Sequence, residues 1–296
     1  MKSNVEKIAK WVMNLFAIVA VVAVFSITAY MIAIGTPALT KVGVIELLFG
    51  TQWKPTAEMP TFGIFYVILT SVVGTIAALL IGVPVGVLTA VFIAEIGNKK
   101  LSAVVQPAVE LLAAIPSVIY GLVGVMILKP IMYQIELAIF ANDPVHQYTG
   151  GSNLMSAIIV LAVMILPTVI NISTSSIRAV QQSIKSASLA LGATKIQTIF
   201  KVLLPAAKSG IMTAIVLGLG RALGEAMAIN MVAGGVVNLP LPFNSVRFLT
   251  TAIVSEMSYS EGLHRQVLFT IGLVLFVFIL FINMFLTRMI KKGETE

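Results

Sequence analysis

The 296-residue chain has no cysteine and only two histidines, His146 and His264, far apart in sequence. Disulfide frameworks and thiolate metal sites are excluded, and too few ligands remain for a metal centre. Charge is also scarce, at 10% of residues against 58% hydrophobic. A soluble globule carries about a quarter charged residues, so this composition belongs in a bilayer. There is no Gly-Lys-Ser/Thr phosphate loop, no Gly-x-Ser-x-Gly elbow and no His-Glu-x-x-His helix. Neither nucleotide binding by that device nor catalysis is expected of the chain, which is read as not an enzyme, with no metal site and no bound cofactor. A net charge of +7 suits nucleic acid only when basic residues share a face with interleaved aromatics. Here they flank apolar runs, so no nucleic-acid partner is expected. No internal repeat or low-complexity tract divides the chain.

A transmembrane helix needs about 20 apolar residues, and six stretches qualify: roughly 11–34, 63–94, 103–127, 153–173, 209–236 and 266–289. The expectation is an all-α integral membrane protein with six transmembrane helices. The first run lacks a small-residue cleavage pattern and exceeds a signal h-region, so it reads as a retained anchor. Residues 1–62 form an N-terminal cytoplasmic segment, first span and external loop; 63–289 form the core, with a polar segment at about 174–208; 290–296 form a tail.

With the N-terminus inside, thirteen basic residues are cytoplasmic: Lys2, Lys7, Lys10, Lys99, Lys100, Arg178, Lys185, Lys195, Lys201, Lys208, Arg288, Lys291 and Lys292. Lys41, Lys54, Lys129, Arg247 and Arg265 are the five outside. The positive-inside rule then predicts a multi-pass plasma-membrane protein with both termini cytoplasmic. Trp11 and Trp53 read as interfacial anchors, the methionines as adaptable packing, and Glu95 and Glu110 as boundary residues. Pro84 and Pro116 lie inside apolar runs, where each can kink or break a helix. Ser117 follows Pro116 and is a candidate ligand at a broken-helix N-terminus, with a packing kink as the alternative. External segments 35–62 and 237–265 are expected as loops or short helices, and Phe248–Met257 is apolar enough to dip into the membrane.

The 174–208 segment reads as two short amphipathic helices. Ile184, Leu189 and Leu191 precede Gly192; Ile196, Ile199, Phe200 and Leu203 follow it at helical spacing. Gly192 permits the turn between them, and Pro205 marks entry to the fifth span. The run Ser186-Ala187-Ser188, three residues, Gly192, nine residues, Val202-Leu203-Leu204-Pro205 resembles the Glu-Ala-Ala loop of ATP-binding-cassette importer permeases, which docks the cytoplasmic ATPase. The chain departs from that pattern at Ser186 and Ser188, which removes the charged contact at 186. The alternative is an interfacial helix whose lysines meet anionic lipid.

Gly218-Leu219-Gly220-Arg221-Ala222-Leu223-Gly224-Glu225 falls mid-way along the fifth span. A charge at a helix centre costs about 2.5–3.5 kcal/mol on the insertion scale, so two of them need compensation. Spacing of four puts Arg221 and Glu225 on one helical face, where they can pair. They then either neutralise each other and join helices, or mark a substrate path. A guanidinium matches a tetrahedral oxyanion through bidentate donors, so Arg221 is expected to face substrate, with Glu225 holding it when no anion is bound.

Gly220 to Ala228, with Met231-Val232-Ala233-Gly234, resembles the fifth-span signature of the C-type permease subunit of phosphate-specific importers. Leu48 to Pro55, Glu110 to Gly121 and Gly262 to Gln266 resemble further segments of that family. The resemblance implies a type I importer permease fold. It also implies a sister permease, two cytoplasmic ATP-binding subunits that carry ATP and Mg, an external phosphate-binding protein, surrounding membrane lipid, and regulation of a sensor kinase. Its implied coupling residues are Ser186, Ala187, Gly192, Leu204 and Pro205. An importer of another oxyanion, a sister permease, a phosphate-signalling membrane component and an ion-coupled carrier are the alternatives.

Overall fold

A computed structural model describes residues 2–294. Met1, Thr295 and Glu296, the last two from the expected tail, lie outside the described residues. Helix α1 (Lys2–Val42) runs beside α14 (Gly262–Glu294). Thr270 Oγ1 donates to the Gly35 carbonyl at 2.8 Å, and Tyr30 meets Phe269 edge-to-face. Helix α2 (Val44–Phe49) and a two-stranded hairpin, β1 (Trp53–Lys54) with β2 (Thr61–Phe62), lead into α3 (Phe65–Val91). Next come a π turn over Phe92–Ile96, α4 (Lys99–Ala114), α5 (Ser117–Val123), a second π turn over Gly124–Leu128, and α6 (Lys129–Ile139).

Helix α7 (Leu154–Arg178) is apolar nearly all round and occupies the centre, as expected of a helix with neighbours on most sides. Helix α3 packs along it through Ala78, Ala157, Leu161 and Ile165, and α11 (Lys208–Gly224) takes another face. Between α7 and α11 lie α8 (Gln182–Ala190), α9 (Lys195–Thr198), a π turn over Ile199–Leu203 and α10 (Leu204–Ala206). Helices α12 (Met227–Val232) and α13 (Leu249–Glu256) precede α14.

Among the described residues, five helices are long and apolar enough to cross a membrane, and the pair Lys195–Ala206 and Lys208–Gly224, bent by 69°, makes a sixth when taken as one span. Two expected spans are corrected. The 103–127 run is not one helix, because Pro116 lacks an N–H and drives Ile115 into extended backbone (φ −68°, ψ 127°). The stretch long enough to cross is instead Ser117–Ile139. The 209–236 run is interrupted at Glu225, and α3 continues unbroken through Pro84.

At the end of the bundle that carries the hairpin, Glu256 is nearly buried and gathers four segments. Its carboxylate accepts from Trp53 Nε1 at 3.1 and 3.2 Å, meets His264 Nε2 at 2.7 Å, and pairs with Arg247. Arg247 also donates through Nε to the Gly235 carbonyl at 2.7 Å. Trp53, expected as an interfacial anchor, is thus a hydrogen-bonded member of this cap. Helix α13 begins where Ser71 Oγ of α3 accepts from the Leu249 N–H at 2.9 Å. At eight residues it is too short to cross. Replacing Glu256 with alanine leaves the partly buried Arg247 guanidinium without its carboxylate and the Trp53 indole N–H without an acceptor. Breaking such a buried pair costs about 3–5 kcal/mol. Glu256→Ala is therefore expected to lower the melting temperature of the detergent-solubilised protein by several degrees, measured by tryptophan fluorescence, with Glu256→Gln affected less.

At the same end, Glu136 is fully buried. It accepts from the Thr149 N–H and Oγ1, each at 2.9 Å, and meets His146 Nε2 at 3.0 Å. His146 stacks on Phe140 with ring centroids 3.7 Å apart. These bonds fold the 140–152 segment back onto α6.

Candidate functional site

Two helix breaks meet inside the bundle. The first lies at Ile115–Pro116, between α4 and α5, and is bridged by Tyr120, whose hydroxyl donates to the Leu112 carbonyl at 2.6 Å. The second lies at Glu225–Ala226. Helix α11 stops at Gly224, Glu225 is extended (φ −73°, ψ 130°), and α12 starts two residues later. Helices α5 and α12 pack directly, with Gly121 as the point of closest approach. A Cβ there would lie 2.7 Å from Met231 Sδ and 2.9 Å from Ala228 Cα.

The break changes the reading of Arg221 and Glu225. Spacing of four gives a shared face only on a continuous helix, and this helix ends between them. Glu225 is instead buried, its Oε1 accepts from the Ala228 N–H at 2.9 Å, and its carbonyl accepts from Thr250 Oγ1 at 2.6 Å. It caps α12 and ties it to α13. Arg221 is half-buried in the last turn of α11 and forms no ion pair among the described residues. Ser117, half-buried, opens α5 just after the first break. The structure therefore groups Arg221, Glu225 and Tyr120 around the crossing, with Ser117 at its edge. Tyr120 was not singled out in the sequence.

A Cβ at Gly220 or Gly224 would meet nothing within 4 Å, so this face of α11 is open in the single chain.

The second element is the α8–α10 segment at the opposite end of the bundle. Helix α8 ends in a turn at Gly192 (φ +86°), and α9 restarts with a reciprocal cap. The Gln197 N–H donates to Thr194 Oγ1, and Gln197 Oε1 accepts from the Thr194 N–H. The Ser188 and Thr198 hydroxyls, 2.9 Å apart, hold the two helices together. Lys185 pairs with Glu95 at the end of the α3 π turn, so Glu95 is more than a boundary residue.

The expected amphipathic faces divide cleanly. Ile199 and Leu203 are buried with Ala90, Val91, Ile177 and Ala207, and Leu204 packs beside them. Ile184, Leu189, Leu191, Ile196 and Phe200 are exposed, Leu191 at 90%. Ser186, Ala187, Gly192 and Pro205 are exposed alongside them. Pro205 lies in the single turn of α10, and the chain bends at Ala207 (φ −89°, ψ 4°) before α11. The segment is an apolar knob on a packed base, with lysines around it.

A family described as "Binding-protein-dependent transport system inner membrane component" matches this sequence over residues 82–293, which takes in both helix breaks and the exposed segment. The chain belongs to that family. Among relatives of this inner membrane component, the probable ABC transporter permease protein YqgH of Bacillus subtilis (strain 168) is 38% identical over 281 residues, 92% of this chain and 88% of that protein. The phosphate transport system permease protein PstC of Pasteurella multocida (strain Pm70) is 34% identical over 262 residues, 84% of this chain and 81% of its own. Among solved structures, a chain of the bacterial alginate ABC transporter superposes with a TM-score of 0.65 at 17% identity, covering 94% of this chain and 93% of that one. The fold is that of an ABC importer permease, and the inner membrane component is a multi-pass membrane protein.

Proposed function

We propose that this inner membrane component is the permease subunit of an ATP-driven importer of inorganic phosphate. It would form the translocation path with a sister permease and couple to two cytoplasmic ATPases. The observation that carries this reading is the unpaired Arg221 at the meeting of two broken helices, on a face left open in the single chain. A partner permease closing that face would complete a path in which a fixed cation meets an oxyanion. The relatives named for phosphate transport supply the substrate.

The exposed knob of Leu189, Leu191, Ile196 and Phe200 supports the coupling role, since a contiguous apolar patch rimmed by charge marks a protein interface. Basic residues Lys185, Lys195, Lys201 and Lys208 in the same segment support a cytoplasmic position for it, and for both termini, by the positive-inside rule. ATP and Mg belong to the ATPase subunits. The hairpin end then faces outward, toward an external phosphate-binding protein. ATP drives transport only by favouring one permease state over another, and α8–α10 is the element that passes on that preference.

Uptake of radiolabelled phosphate by cells carrying the complete transporter tests the reading. Unlabelled phosphate and arsenate are expected to suppress the signal, whereas excess sulfate leaves it unchanged. Equal suppression by sulfate would make the chain part of a general oxyanion importer. Absence of uptake alongside a changed output of the phosphate-sensing kinase would make it a signalling component.

A further inference from the structure

At the α8–α10 end, away from the crossing, the exposed Arg178 has no carboxylate partner among the described residues. A cavity of about 520 Å³ opens between the π turn after α3, the start of α4 and the end of α7, lined by Ser102, Gln106, Glu110 and Arg178. Arg178 Nη1 donates to Gln106 Oε1 at 2.9 Å, and Nη2 approaches the Ile93 carbonyl at 3.4 Å. Both acceptors are neutral. A guanidinium offers five N–H donors, and no carboxylate pairs with this one among the described residues. Of the two acidic groups nearby, Glu95 pairs with Lys185, and Glu110 accepts from Gln106 Nε2 through Oε1 at 3.1 Å, which leaves its Oε2 for a ligand.

Ser102, half-buried on the cavity wall, adds a second observation. Its Oγ is buried with no hydrogen-bond partner, an arrangement that costs about 1–3 kcal/mol when left unmet. We propose that this cavity binds a phosphate group, with Arg178 supplying charge and a forked donor, Ser102 a hydroxyl, and Gln106 a relay that fixes the guanidinium plane. Glu110 sets the chemical class. A carboxylate at the rim repels a bare dianion and accepts from a ligand that carries an O–H, such as monohydrogen phosphate or the glycerol headgroup of phosphatidylglycerol. Sulfate has no such donor.

The site goes beyond the import reading, because its phosphate group can be cargo leaving toward the cytoplasm or a lipid of the inner leaflet. The cavity lies beside the Lys185–Glu95 contact that joins the coupling segment to α3, so its occupant would reach the element that contacts the ATPase.

Binding of radiolabelled inorganic phosphate to the complete complex in phosphatidylcholine nanodiscs tests the proposal, in an Arg221→Gln background that silences the crossing. Adding Arg178→Gln is expected to remove one bound phosphate per copy of this chain, and Ser102→Ala to weaken binding about fivefold. If phosphatidylglycerol in the discs displaces the phosphate, and native mass spectrometry finds a lipid that Arg178→Gln loses, the headgroup is the occupant. If it does not compete, free phosphate is. Unchanged phosphate stoichiometry and unchanged lipid retention in both variants would overturn the site. Such a result would leave the import reading standing, since no uptake is measured.

Discussion

Arg221→Gln is expected to lower phosphate uptake about 10²–10⁴-fold while the variant still reaches the membrane and copurifies with its ATPase. Hydrogen bonds to charged groups contribute about 1.5–3 kcal/mol each, and a bidentate contact provides two of them. Arg221→Lys keeps the charge and loses the fork, so a reduction of about ten- to a hundredfold is expected. The lysine variant separates two roles. If Arg221 served only to neutralise Glu225, lysine would do so and uptake would survive.

The geometry argues against that role, because Glu225 is committed to the Ala228 N–H and Thr250 holds its carbonyl. A gate in which substrate displaces Glu225 from Arg221 finds no support in this state of the molecule. Wild-type uptake by both Arg221 variants would show that the anion passes elsewhere.

The difference between reading Arg221 and reading Glu225 marks the limit of sequence patterning. Hydropathy made four of the six spans legible, because it is a property of a window of about 20 residues, while the third and fifth were misplaced at Pro116 and Glu225. The Pro116 break was legible because proline acts on its own neighbours. The Glu225 break was not. Its local sequence, Ala222-Leu223-Gly224-Glu225-Ala226-Met227, contains good helix formers around one glycine, and what ends α11 is the placement of Glu225 as cap to α12 with Thr250, twenty-five residues on, holding its carbonyl.

The buried carboxylates escaped for the same reason. Glu256 is specified by Trp53, Arg247 and His264, and the first of these is 203 residues away. Glu136 takes its partners from a polar segment that reads as an ordinary loop. Such residues look like solvated boundary charges until the fold brings their donors together. Gly192 was legible as a turn, and the φ of +86° gives that reading a physical basis. The split of the 184–203 apolar residues into a buried base and an exposed knob required the packing of α3 and α7.

That split yields the other large expected effect. Gly192→Val should abolish association with the ATPase subunits, whereas Gly192→Asn should retain it. The open space around the site makes this ordering diagnostic: a Cβ at Gly192 would meet nothing within 4 Å, so any cost arises from the backbone alone. A left-handed residue costs roughly 1–2 kcal/mol for most side chains, least for asparagine and aspartate and most for β-branched ones. Val therefore straightens or shifts the α8–α9 turn and misplaces the knob, Asp leaves the turn formed with one charge added, and Asn leaves it as it is.

Leu191→Asp tests the knob without touching the turn. Burying a leucine is worth about 1.5–3 kcal/mol, and an unpaired carboxylate in the interface costs more, so loss of copurification is expected with thermal stability unchanged. Should Gly192→Val and Leu191→Asp both bind the ATPase at wild-type stoichiometry and support uptake, the segment would be a helix lying on the headgroups. The exposed apolar residues would then face lipid, and coupling would have to run through another surface.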